Sequence, residues 1–190
     1  MTSDRKTHPA GARRNGWRRC LGAFRRDGRG STAVEFAMLA LPFLSLVFAI
    51  FETSMVHMTS QVLQTAVTEA SRKIMTGQAQ KGSFTAQDFK NEVCKNVKAF
   101  FNCPNDLKVD VQSFASFAAA SVPPAPIKNG GLDSSGFGYS PGGPNQIVVV
   151  RAALEYKLVV PSMISNTMAN LSGSKLLIMA SAAFKNEPYN

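Results

Sequence analysis

The sequence predicts an α+β protein, with a long N-terminal helix packed on a small antiparallel β-sheet of about three strands. Three observations carry this. Residues 33–51 form an apolar run whose one charge is Glu35. That run passes directly into an amphipathic pattern reaching Met75. Beyond residue 105, three stretches alternate apolar and polar residues with period two, the sign of half-buried strands.

From Ala33 to Phe51, a helix rising about 1.5 Å per residue nearly crosses the ~30 Å hydrocarbon core of a bilayer. Ser31 and Thr32 just before it are helix-start residues. Pro42 lacks an N–H and crowds the preceding turn, so a kink or local loosening is expected there. Residues 1–30 carry nine Lys and Arg against Asp4 and Asp27, which puts +7 of the chain's +9 in this leader and leaves +2 for the rest. The basic character therefore belongs to the leader, and no nucleic-acid partner is expected. Lys and Arg hold their end of a span in the cytoplasm, so residues 1–30 are expected inside and everything beyond about residue 52 outside. An arginine-rich start also suits an organelle transit peptide, but those are themselves amphipathic, whereas this apolar run is continuous and lies downstream. A secretory signal is cut after its apolar region. Here Gly30, Ser31 and Thr32 precede it, which suits a peptidase acting at the cytoplasmic face and leaving the helix on the protein.

These residues resemble a known family. Gly30-Ser31-Thr32-Ala33-Val34-Glu35-Phe36 is similar to the processing site of type IV prepilins and pseudopilins. More closely, residues 28–37 with Leu41-Pro42 resemble the start of TadE-like minor pseudopilins of tight-adherence (Flp, type IVb/IVc) pili. The resemblance covers residues 28–60 well and the C-terminal strands more loosely. It implies a pilin-like fold and cleavage after Gly30 by a prepilin peptidase, so that the mature chain starts at Ser31 with Glu35 as its fifth residue. It also implies assembly through Glu35, Phe36 and Pro42. For Glu35 two readings stand side by side: an interfacial carboxylate favoured by the positive helix end, or a contact with the new N-terminal amine of a neighbouring subunit. The implied partners are the inner membrane, the peptidase, other pilins or pseudopilins and the pilus assembly platform. The implied location is the bacterial inner membrane, single-pass, with the C-terminal domain periplasmic and a place in an extracellular pilus open.

Beyond the membrane, Val56, Leu63, Val67, Ala70 and Ile74 share one helical face, with Glu52, Gln61, Gln64, Glu69, Arg72 and Lys73 mostly elsewhere. One helix is thus expected from about Thr32 to Met75, lipid-bound to residue 52 and continuing outside over 53–77, with Gly77 as its stop. His57 lies on it without a partner at ligand spacing. Gln78–Ser83 reads as a polar turn. A second helix is expected from Thr85 or Ala86 to Phe100, with Thr85 and Asp88 as a loose capping box. Cys94 and Cys103 flank its end on the outer side of the membrane, while Cys20 lies in the leader. An even pair in an oxidising compartment reads as a disulfide; a metal site lacks further ligands, and a redox site lacks C-x-x-C.

Leu107–Ala115 reads as a strand with Leu107, Val109, Val111 and Ala115 facing the core. Residues 118–145 hold many Pro and Gly and read as a flexible surface loop, in which Phe137 and Tyr139 are a candidate contact patch. Asn145–Pro161 is the strongest strand, with Val148, Val150, Ala152, Leu154, Tyr156, Leu158 and Val160 on the apolar face and Arg151, Glu155 and Lys157 opposite. Lys175–Lys185 repeats the pattern. A short helix carrying Ile164, Met168 and Leu171 is expected between them. Together, residues 78–190 form the α+β head.

Catalysis is not expected. One of the two histidines lies in the leader and the other beside the membrane, which leaves no Ser-His-Asp or Cys-His centre. No carboxylate pair, nucleotide motif or metal motif stands out, so neither cofactor nor metal is expected. The leading expectation is a structural pilus protein. A type II secretion-like pseudopilin and an uncleaved signal-anchored periplasmic binding module are the alternatives, the last distinguished by retention of the leader.

Overall fold

Helix α1 spans Ser31–Met75 and runs unbroken through Pro42. The structure is a computed structural model that describes residues 30–95, 97, 103, 105–121, 123–159 and 167–189. The described residues fall into two compact units, one up to Val47 and one from Phe48 onward. In the first, Val34, Phe36, Met38, Leu39, Leu41, Phe43, Leu44 and Leu46 are all exposed. A helix that satisfies its own backbone while exposing apolar side chains suits lipid. Pro42 removes the N–H that the carbonyl of Met38 would bond. Three residues on, the Ser45 hydroxyl donates to Leu41 O at 2.7 Å.

In the second unit, α1 buries Leu63, Ala66, Val67, Ala70 and Ile74, the i, i+3, i+4 stripe that its sequence prescribes. Arg72 and Lys73 fill the last turn, favourable at the negative helix end. Gly77, left-handed at φ 77°, then sends its N–H to Ile74 O at 3.0 Å. The polar turn expected at 78–83 is instead begun by a helical turn, α2 (Gln78–Lys81), because Ala79 has a place in the core. Helix α3 (Ala86–Lys95) opens on a reciprocal box: Asp88 N–H donates to Thr85 Oγ1 at 3.2 Å, and Thr85 N–H to Asp88 Oδ2 at 3.0 Å. Asp thus serves in place of the usual Glu. The described part of α3 reaches Lys95, and the expected end at Phe100 lies outside the described residues. The helix does not run on to Cys103, which is bonded to Cys94 with the Cα atoms 5.7 Å apart. Nine residues of continued helix would separate them by about 13 Å.

Strands β1 (Leu107–Phe114), β4 (Ile147–Lys157) and β5 (Lys175–Lys185) form one antiparallel sheet in the order β1-β4-β5. Across it Asp110, Arg151 and Ser181 lie opposite one another. The face carrying Val111, Val148, Val150, Ala152, Leu154, Ile178 and Ala180 packs with α1, Phe89 and Val93 in the main core. Ala115 lies past the end of β1 and is exposed, not core-facing.

The second face is covered as well. Arg151, which the sequence places opposite the apolar face of β4, is 5% exposed. The reason is the 118–145 segment, which is not an open loop. It makes a 3₁₀ turn (Phe117–Ala119) and a hairpin of β2 (Ile127–Lys128) and β3 (Gly131–Leu132). The hairpin turns on Asn129-Gly130, with φ 53° and 74°, a strong hairpin dipeptide. The segment packs Leu132 and Phe137 against Ala153, Leu171, Leu177 and Met179 as a second core. Phe137 and Tyr139 are half-buried, and the Tyr139 ring packs 6.1 Å from Phe89 in the main core. Of the helix expected between β4 and β5, Ile164 lies outside the described residues, as does Val160 of the preceding strand expectation. Thr167 and Met168 are the helical residues described there.

Burial pushes the Tyr139 phenol up to about 12, with Asp88 adding to the shift. A raised native pKa contributes stability below the unfolded value and loses it as pH rises through the native one. The head is thus expected to lose stability between about pH 10 and 12. Thermal melts across that range test this, and Tyr139→Phe is expected to flatten the loss.

Candidate functional site

The site begins where α1 begins. Gly30 is exposed, and among the described residues nothing lies within 4 Å of the position that a Cβ on it would take. This differs from Gly77, where that position runs into the Tyr189 ring. Ser31, the first residue of α1, donates its hydroxyl to Glu35 Oε1 at 2.8 Å. This holds the carboxylate beside the helix start, where four N–H groups lack intrahelical acceptors and the dipole is positive. Phe36 is 72% exposed, and Pro42, six residues and about one and two-thirds turns further along the helix, is exposed as well. Gly30, Ser31, Glu35, Phe36 and Pro42 thus form one local, outward-facing stretch.

Cys94 and Cys103 belong to the other unit and are not part of this stretch. Cys94 is buried at the end of α3, and the disulfide ties that end to the segment entering β1. Closing so short a loop contributes about 2–3 kcal/mol. Reductant is expected to lower the melting temperature of the oxidised protein by about 5–10 °C and to leave a Cys94→Ala/Cys103→Ala variant unchanged. His57 is exposed on α1. Among the described residues no three His, Cys, Asp or Glu side chains group as metal ligands.

Three polar features were not singled out by the sequence reading. Glu52, expected off the buried stripe, is 6% exposed and accepts the Val159 N–H at 3.2 Å. It therefore links the outer part of α1 to the end of β4. Asp110, 1% exposed, takes Arg151 Nε at 3.0 Å and Nη2 at 2.6 Å, and accepts the Gly138 N–H at 3.0 Å. Arg151 Nη1 donates to Pro123 O at 3.1 Å, and the guanidinium lies 5.6 Å from the centre of the Phe137 ring. The pair thus fastens the 118–145 segment to the sheet. Its sequence signal was available: an acid at the polar phase of one strand and an arginine at the polar phase of its neighbour. The third feature is Gln64, whose amide bonds both backbone groups of Ser181.

Comparison with known proteins bears on α1. Residues 30–72 match the family model of TadE-like proteins, so the match starts at Gly30 and ends in the last turn of α1. No curated protein and no solved structure matches the chain. The helix carrying that match is long and apolar enough to cross a membrane once, compatible with single-pass anchoring.

Proposed function

We propose, from the premise that residues 30–72 are TadE-like and that this family is a structural component of tight-adherence pili, that the chain is a minor pseudopilin processed after Gly30 by a prepilin peptidase. The observation that carries this is Gly30 itself. It stands exposed at the start of an apolar helix, and among the described residues nothing crowds the place of a side chain there. A peptidase that needs an unhindered peptide bond gives a reason for glycine. Cleavage frees the amine of Ser31 one helical turn from Glu35, whose carboxylate is already held at the helix start by the Ser31 hydroxyl. In assembly the amine of a neighbouring subunit competes for that carboxylate.

On this reading residues 1–30 are the cytoplasmic leader and 31–52 span the inner membrane. Residues 53–77 continue the helix outside, and 78–190 form a periplasmic head braced by the Cys94–Cys103 bond. Phe36 and Pro42 face other pilins once the helix leaves lipid, where van der Waals packing between helices replaces contact with acyl chains. The assembly platform and other pilins are the partners. The test is Glu35→Ala in cells that make the pilus. The variant is expected to be membrane-bound and cleaved, yet missing from the sheared pilus fraction or from its assembly complex. Normal incorporation of Glu35→Ala would contradict the assembly role of Glu35.

A further inference from the structure

Three contacts fix how the sheet lies along α1. Glu52 Oε1 accepts the Val159 N–H at 3.2 Å, the Gln64 amide bonds both backbone groups of Ser181, and Met75 O accepts the Glu187 N–H at 2.9 Å. β5 therefore runs in the same direction as α1, and the end of the sheet that holds Lys157, Val159 and Lys175 is the end nearest the apolar run. Within the same unit, Phe48, Phe51 and Met55 stand exposed on α1 around Glu52. Glu52 marks where hydrocarbon has to stop, because a carboxylate deep in a bilayer is costly.

Two features of that end gain nothing from the head itself. Val159 is an apolar residue left 83% exposed, although its backbone is fixed. Its own N–H is bonded to Glu52, and the preceding Leu158 N–H donates to Ser174 O at 3.0 Å. Lys157 lies directly opposite Lys175 across the ladder of β4 and β5, a like-charge pair that costs stability. Lys175 is relieved by Glu155 Oε2 at 2.6 Å. Lys157 is exposed and has no carboxylate partner among the described residues.

We propose that this end of the head is a second membrane contact: Val159 enters the interface of the bilayer that α1 spans, and Lys157 binds the phosphate of an anionic lipid headgroup in the same leaflet. Val159 is level with Glu52, at the end of the apolar run, so its side chain continues the lipid-facing surface of Phe48, Phe51 and Met55. At most about 7 Å of chain separates Val159 from Lys157, close to the ~5–7 Å thickness of one headgroup layer. Val159 thus meets the edge of the hydrocarbon while the Lys157 ammonium stays among the phosphates, where an anion offsets its repulsion from Lys175. The contact adds to the hold that α1 has on the membrane, and it has to be released before the chain leaves lipid. The proposal rests on α1 spanning a membrane, but on neither cleavage after Gly30 nor a pilus.

The test uses the full chain in nanodiscs of equal parts phosphatidylethanolamine and phosphatidylglycerol. In a Cys20→Ser background, with the Cys94–Cys103 bond closed, a nitroxide is placed on Val159→Cys, on Phe43→Cys within α1, or on Lys185→Cys at the opposite end of β5. Collision with oxygen, which favours lipid, is compared with collision with a water-soluble nickel chelate. Residue 43 is expected to read as lipid and residue 185 as water, with residue 159 shielded from nickel at the interface. Adding Lys157→Gln is expected to lower the shielded population at residue 159 roughly fivefold relative to the exposed one, the effect of one lysine at an anionic surface. A second readout keeps Val159 and Lys157 native. A water-soluble amine reagent is expected to modify Lys157 more slowly, relative to Lys185, in the nanodiscs than in micelles of an uncharged detergent. Residue 43 in lipid with residue 159 as open to nickel as residue 185, or the same relative reactivity of Lys157 in both media, would overturn the proposal and leave the span intact. Residue 43 in water would overturn the span and the proposal together.

Discussion

Asp110→Ala is expected to destabilise the head by about 3–5 kcal/mol, because it leaves the Arg151 guanidinium buried without its counter-charge. Arg151 is 5% exposed, so it cannot recover the lost bonds from solvent without opening the 118–145 segment. The same substitution strips the Gly138 N–H of its acceptor and so loosens the stretch that bonds Val111 at the β1 edge. A fall in melting temperature of about 10–15 °C is expected, with hydrogen exchange rising first at Gly138 and Ser140. Replacing the pair together, Asp110→Leu with Arg151→Met, is expected to recover most of the loss, since the cost lies in the unpaired charge. A double variant as unstable as Asp110→Ala would contradict that account.

Gly77→Ala carries the second large effect, about 2–4 kcal/mol, from two separable causes. The backbone at φ 77° is left-handed and disfavours any Cβ. The new Cβ would also overlap three atoms of the Tyr189 ring, which must expel the ring. Tyr189 donates its hydroxyl to Gly142 O at 3.3 Å, and Glu187 N–H bonds Met75 O at 2.9 Å. The C-terminal segment therefore straps the end of α1, and its release is the expected result. In a Tyr189→Ala background the overlap is gone, so Gly77→Ala is expected to cost about 1–2 kcal/mol there. An undiminished cost in that background would show that the ring is not the obstacle.

Both effects lie in features that periodicity alone did not reveal. The α1 stripe, the capping box and the phase of β4 and β5 could be read directly, because each rests on local spacing. What covers a sheet face is not a local property. The sequence pattern placed Arg151 on the polar phase of β4, and it is there; the Pro- and Gly-rich segment then folds over that phase and buries it. Asn129-Gly130 was the one local sign that this segment has structure, and its hairpin supplies part of the second core. Glu52 followed the same logic: a polar position on α1 becomes buried only because the chain returns to it 107 residues later. The outward exposure of the stretch from Gly30 to Pro42 was legible for the opposite reason. Its residues face outward and their meaning depends on order along the chain, not on what folds against them.

The central claim is that Gly30-Ser31 is a cleavage site. N-terminal sequencing of the protein from membranes, with and without the prepilin peptidase, tests it most directly. The account predicts a start at Ser31 with the peptidase and an intact leader without it. A start at or near Met1 in both would contradict it and leave a single-pass anchored domain whose role lies in its head.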